Sequence, residues 1–310
     1  MRQTKYIALA IIILTLKLNA QNYSESNISI NDNIYGSIVE PKSRSNSNLV
    51  IFIGGSGPID RDGNQSFMKC DMFKKLAYSL SEKSISSFRY DKRVVTQIRK
   101  GKLDKKITFD DFVSDVIAII DFFESKYESI ILVGHSQGSL TGLLSINESV
   151  SGFISLAGVG QSIDKVIESQ ISKLAPHLLE ETKKTLEIMR NGYTTKNYPK
   201  SFSSIFNIDT QPFMINWMKY NPSEIISKIS TPCLIINGDK DLQVNISEAQ
   251  MLHESAQNSE LLIVKNMNHV LVEIEGDDLD NAKSYNDPKS EISEVAIKKI
   301  IAFILNLQSL

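Results

Sequence analysis

The chain is short of the residues on which several chemistries depend. Its 310 residues include two cysteines, four histidines and one tryptophan. Two thiols cannot build a disulfide framework or a cysteine-rich zinc site. Charge of one sign is missing too: 34 basic side chains stand against 36 acidic ones, a formal net charge of -2. Nucleic-acid binders normally carry a basic surplus, so no nucleic-acid partner is expected. No apolar run reaches the roughly 20 residues that a membrane-crossing helix needs. What is there is an ordinary globular composition, 42% hydrophobic and 23% charged, in a chain long enough to bury a full core.

The longest apolar run lies at the N-terminus, from Tyr6 to Leu16, behind Arg2 and Lys5 and ahead of Leu18, Asn19, Ala20 and polar Gln21. A charged start, a short apolar stretch and a small residue at the cut site describe a signal peptide over residues 1–20. The mature chain is then expected to be exported, periplasmic or extracellular, with no stable membrane span after cleavage. No cysteine follows Ala20, so a lipid anchor is not indicated. In an oxidising compartment Cys70 and Cys233 are permitted to bridge, although a helix and a buried strand suit two separate thiols equally well.

Short apolar runs alternate with segments of helical spacing along the rest of the chain. Strands are expected at 49–53, 84–90, 130–133, 153–157, 233–236 and 261–264, and helices over 67–80, 109–123, 140–146 and 292–305. This pattern predicts an α/β fold: a mostly parallel central sheet with helices on both faces. The core takes residues 21–161 and 229–310, and 162–228 forms a helical lid inserted between two strands. Ligands of such sheets sit at the carboxyl ends of the strands, which directs attention to the loops there.

Directly after the strand at 130–133 stands Gly134-His135-Ser136-Gln137-Gly138, a G-x-S-x-G turn leading into a helix. That context suits a nucleophile elbow, in which a strained turn lifts the serine off the strand end. Serine needs a base. His135 adjoins it but is expected to point into the packing, while His177 and His253 fall in helical segments. His269, just past the last strand, holds the right place in the chain order serine, acid, histidine. For the acid, Asp239 and Asp241 in the turn after 233–236 are nearly even from spacing alone. One orients the imidazole. An oxyanion needs two N–H donors, and Gln137 and Ser56 are placed to supply them, Ser56 within the glycine-rich run Gly54-Gly55-Ser56-Gly57. No cofactor and no metal is called for. The acidic stretch 273–280 lacks EF-hand spacing.

Gly134 to Gly138, Gly238 to Asp241 and Asn268-His269 together resemble the α/β-hydrolase superfamily. Residues 55–63 (GSGPIDRDG) and 88–93 (FRYDKR) resemble one branch of it, bacterial carboxylesterases related to serine-aminopeptidase-like hydrolases. The resemblance spans nearly the whole mature chain. It implies that Asp241 is the acid of the triad. It also implies that Asp60, Arg61, Asp62, Asp91 and Arg93 form a charge network fixing the loops near the site. Where that branch usually continues R-G-x-G, this chain has Val94-Val95-Thr96. The expected activity is hydrolysis of a small-molecule carboxylic ester through an acyl-enzyme. A serine peptidase or aminopeptidase-like amidase, with Glu180 or Glu181 receiving a substrate amine, is the alternative. A non-catalytic exported binding protein of the same fold is a third reading.

Overall fold

The computed structural model describes residues 22–43 and 47–307; the expected signal peptide lies outside them. Eight strands form one sheet: β1 (Tyr23–Ser29), β2 (Tyr35–Pro41), β3 (Asn48–Ile53), β4 (Ser86–Asp91), β5 (Ser129–His135), β6 (Val150–Leu156), β7 (Cys233–Gly238) and β8 (Ser259–Val264). Their order is β1-β2-β4-β3-β5-β6-β7-β8. β1 pairs antiparallel with β2 and β2 with β4, while every other neighbour is parallel.

The helices are α1 (Met72–Ser81), α2 (Arg93–Arg99), α3 (Phe109–Phe123), α4 (Gln137–Leu144), α5 (Ile163–Leu174), α6 (Leu179–Arg190), α7 (Ser203–Phe206), α8 (Gln211–Trp217), α9 (Pro222–Ile226), α10 (Ile246–Ser255), α11 (Asp278–Ser284) and α12 (Glu294–Asn306). None of them is long and apolar enough to cross a membrane.

Period-two alternation along the central strands divides their side chains between two cores. Val50, Phe52, Ile131 and Val133 face α1 and α12, meeting Phe73, Leu76, Ile300 and Ile304. Leu49, Ile51, Ile130 and Leu132 face the other way, onto Val116, Ile119 and Phe123 of α3 and Leu252 of α10. Each such side chain contributes about 1.5–3 kcal/mol on burial. Cys70 belongs to the first core and Cys233 to the second, so the two thiols lie on opposite faces of the sheet and are free.

Helix α3 has the bounds its spacing predicts. The helix expected at 67–80 instead begins at Met72. Asn64 explains the delay: its Oδ1 accepts from the Cys70 and Asp71 N–H groups, both at 2.9 Å, and Asp71 is left-handed at φ 53°. The preceding loop is thus tied off, and Phe67 is 94% exposed. Strands β1 and β2 carry no strong apolar run and were not foreseen.

The segment between β6 and β7 holds α5 to α9. It packs through a third core in which Ile167, Phe206, Met214 and Trp217 meet Phe109 and Phe112 of α3 and Leu140 of α4. Trp217 stacks on Phe109 with ring centroids 5.5 Å apart.

Candidate active site

At the end of β5 the chain turns sharply into α4. Ser136 occupies the turn at φ 53°, ψ -120°, a left-handed conformation that costs a residue with a Cβ on the order of 1–3 kcal/mol. Two glycines make it sterically possible. A Cβ on Gly134 would lie 2.3 Å from the Gly138 carbonyl oxygen, and one on Gly138 would lie 2.2 Å from the Ile53 carbonyl oxygen. The bend is held by the Ser136 N–H donating to Leu156 O at 2.9 Å and by the Ser139 N–H donating to Ser136 O at 3.0 Å.

Across from it, the loop after β8 carries His269. Asn268 shapes that loop: its Oδ1 accepts from the Val270 and Val272 N–H groups at 3.1 and 3.0 Å, and its amide donates to Asn281 and Ser284. The His269 Nδ1 and Asp241 Oδ2 are 2.8 Å apart. The Asp241 side chain is wholly buried and that of His269 is 5% exposed. Asp241 Oδ1 accepts from the Gln243 and Val244 N–H groups, so both carboxylate oxygens are committed. With Nδ1–H donated to the carboxylate, His269 Nε2 is left as the acceptor. Asp239 turns elsewhere and accepts from the Asn266 N–H at 2.5 Å. Of the two acids that spacing left open, Asp241 meets the imidazole. Ser136 and His269 line one small cavity of about 90 Å³. His135 lines this cavity as well, whereas His177 and His253 lie apart from it: His177 is exposed and His253 bonds Ser259 at 2.7 Å.

His135 points into the packing, as expected, and its partners there are specific. It is buried, its ring packs against His269 with centroids 4.6 Å apart, and its Nε2–H donates to the His269 carbonyl at 2.8 Å. Burial, with a smaller contribution from His269, lowers its pKa to about 3. A neutral, donating ring therefore supports the loop without placing a cation beside His269. The consequence for stability has a definite sign. The unfolded histidine takes up a proton near its usual 6.5, the folded one only near 3. The group's contribution is complete above pH 6.5 and is lost as pH falls toward 3. His135→Gln keeps a donor but cannot be protonated. In urea unfolding between pH 7 and 4.5, the wild type is expected to lose about 2–3 kcal/mol more than this variant; equal losses would refute the assignment.

The loop after β3 abuts the turn at Ser136: a Cβ on Gly55 would lie 3.3 Å from that of Ser136. Among the described residues, neither the Ser56 N–H nor the Gln137 N–H is taken up by another hydrogen bond. Both residues also line a second, larger cavity of about 630 Å³ that reaches Ser136 from the side of α5 and α8. Its wall is largely apolar, with Ile107, Phe112, Val166, Ile167, Phe213, Met214 and Trp217, and its single acid is Asp104. Val94, standing where the resembling branch usually has glycine, is the second residue of α2 and lines this cavity. Glu180 and Glu181 are exposed on α6 and line neither cavity.

The expected charge network is divided into separate clusters. Arg61 grips Asp91, which also pairs with Arg99. Asp62 pairs with fully buried Arg89, whose other partner is Glu25 of β1. Arg93 takes Asp111 and Asp115. Asp60 accepts from the Asp62 and Asn64 N–H groups and shapes the turn. None of these five acids and bases of the sequence reading lines a cavity at Ser136. Among the described residues no group of three or more His, Cys, Asp or Glu is placed to hold a metal.

Residues 67–277 match the protein family described as serine aminopeptidase, S33. Esterase EstD of Thermotoga maritima is 24% identical over 266 residues, which cover 84% of this chain and 63% of that protein. The chain thus spans under two thirds of that relative's length. Among solved structures, Est1E from Butyrivibrio proteoclasticus superposes with a TM-score of 0.59 at 14% identity, covering 92% of this chain and 99% of the other. The peroxisomal α/β-hydrolase Lpx1 of Saccharomyces cerevisiae does so with a TM-score of 0.56 at 13% identity, covering 93% and 90%.

Proposed function

The chain belongs to the serine aminopeptidase S33 family and has the α/β-hydrolase fold, and from that premise we propose that it is a serine hydrolase of carboxylic esters with a sizeable apolar acyl group. The observation that carries the reading is His269, hydrogen-bonded to Asp241, sharing a cavity with Ser136, itself set in a strained turn. In the proposed cycle His269 Nε2 takes the proton as Ser136 Oγ attacks the ester carbonyl. The tetrahedral oxyanion accepts from the Ser56 and Gln137 N–H groups. Collapse expels the alcohol, which leaves with the proton from His269. Water, deprotonated by His269, then attacks the acyl-enzyme, and the acid departs as Ser136 recovers its proton.

Ester is favoured over peptide amine by the walls of the site. A substrate's N-terminal ammonium needs a carboxylate close by, and burying it without one costs several kcal/mol. The large cavity offers mainly apolar side chains, and its one acid, Asp104, is exposed to solvent. In this reading helices α5 to α9 act as a lid that keeps the acyl group from water, and the small cavity takes the alcohol. A series of p-nitrophenyl esters is expected to show kcat/KM rising from acetyl to octanoyl, by about tenfold for every two methylenes buried and up to about 10³-fold if all six are, at roughly 0.8 kcal/mol per buried methylene. Aminoacyl p-nitroanilides are expected to react at least about 100-fold more slowly than the best ester, as one to a few kcal/mol of lost substrate fit implies. Faster anilide turnover would replace the reading by an aminopeptidase. Failure to react with a fluorophosphonate probe would leave a binding protein.

A further inference from the structure

Lys92 follows directly on β4 and is 4% exposed. Among the described residues no carboxylate pairs with its Nζ. The acid that acts on it from α3, Asp115, is held bidentately by Arg93 at 2.8 Å to each oxygen. Tyr90, the other titratable group of this small interior space, lies beside Asp115. An amine so enclosed is expensive to charge, and burial lowers its pKa to about 7.

The contacts of Nζ show what the amine does there. It donates to the Gly55 carbonyl at 2.7 Å and to Gln137 Oε1 at 2.9 Å, and it rests over the Phe112 ring 4.2 Å from the centroid. Of the two hydrogen-bonded residues, Gly55 immediately precedes one proposed oxyanion donor and Gln137 is the other. The Gly55 carbonyl and the Ser56 N–H belong to one peptide plane and point in opposite directions across it. Holding the carbonyl toward Lys92 therefore aims the N–H the other way, to the side where Gly55 meets Ser136. The adjacent glycines that let this loop turn inward also let its peptide rotate at little cost, so something outside the loop must choose the orientation. The second bond fixes the side chain of Gln137, whose own N–H is the other donor. A hydrogen bond to the carbonyl also polarises the N–H of the same peptide and strengthens it as a donor.

We propose that Lys92 is the positioning residue of the oxyanion hole, tethering the Gly55 carbonyl and the Gln137 side chain so that the Ser56 and Gln137 N–H groups converge at Ser136. The inference rests on the serine-hydrolase reading above.

Lys92→Met keeps the length and bulk of the stem and removes the donor. Turnover of a p-nitrophenyl ester is expected to fall about 100-fold in kcat, the scale of one lost oxyanion donor, with KM changed by no more than about threefold. A trifluoromethyl ketone, which binds serine as a tetrahedral oxyanion, is expected to lose affinity by a factor similar to the loss in kcat/KM. Packing damage alone would not couple the two. Lys92→Gln, which keeps a shorter donor, is expected to lie between the wild type and the methionine variant in both measurements, and it carries the test if the methionine variant fails to fold. A folded methionine variant with wild-type kcat, or one that loses kcat but binds the ketone as the wild type does, overturns the inference while the hydrolase reading stands. A wild type inert to both ester and fluorophosphonate overturns both.

Discussion

Replacing Ser136 with alanine is expected to lower kcat for p-nitrophenyl ester hydrolysis by at least about 10⁴-fold, as the loss of a nucleophile does in serine hydrolases. Only stabilisation by the oxyanion donors and the binding cavity would remain. The fold is expected to be unaffected. The backbone bond from Ser136 to Leu156 does not involve the side chain, and alanine tolerates the turn no worse than serine. A melting midpoint within a few degrees of the wild type should accompany the lost activity. Adding His269→Ala to this variant is expected to cost little more, because the three groups act as a unit. Turnover within tenfold of the wild type would sink the assignment of Ser136.

The second large effect separates the two neighbouring acids. Asp241→Asn keeps an oxygen able to accept from Gln243 and Val244, but it turns an NH₂ group toward His269 Nδ1. To accept from that group the imidazole must carry its proton on Nε2, where it cannot take one from Ser136. A fall in kcat of about 10⁴-fold at neutral pH is the expected scale for such a tautomer error. Asp239→Asn, whose native partner is the Asn266 N–H, is expected to change kcat by less than about threefold, since it touches the turn and not the imidazole. If the two variants fall alike, the roles drawn from the geometry are wrong.

The reach of the sequence reading follows from physical scale. Fully buried parallel strands announce themselves as apolar runs, and the pentapeptide around Ser136 carries a steric requirement that spacing can express. Strands β1 and β2 leave little trace in the sequence for two reasons: β1 is mostly exposed and a half-solvated strand needs no continuous apolar run, while β2 is mostly buried but fills two of its buried positions with Gly36 and Ser37, leaving only Ile38-Val39 as an apolar run. The start of α1 was misplaced because Asn64 spends its amide on two backbone N–H groups, a local bond that hydrophobic spacing does not register. Asp239 and Asp241 stayed level for a similar reason: two residues along a turn reverse the direction of a side chain. The partners of His135 and Lys92 leave no mark in the sequence, since they are the His269 carbonyl and the Gly55 carbonyl, groups every residue has.

The left-handed backbone at Ser136 has a consequence for how this protein changes over generations. Glycine would occupy that turn without strain, so the residue proposed to do the chemistry is one the fold would be more stable without. Under selection for persistence alone, in a library screened by melting temperature or a lineage that no longer needs the reaction, drift at this codon runs toward glycine. A serine retained at this turn is what continued use of the proposed reaction would require.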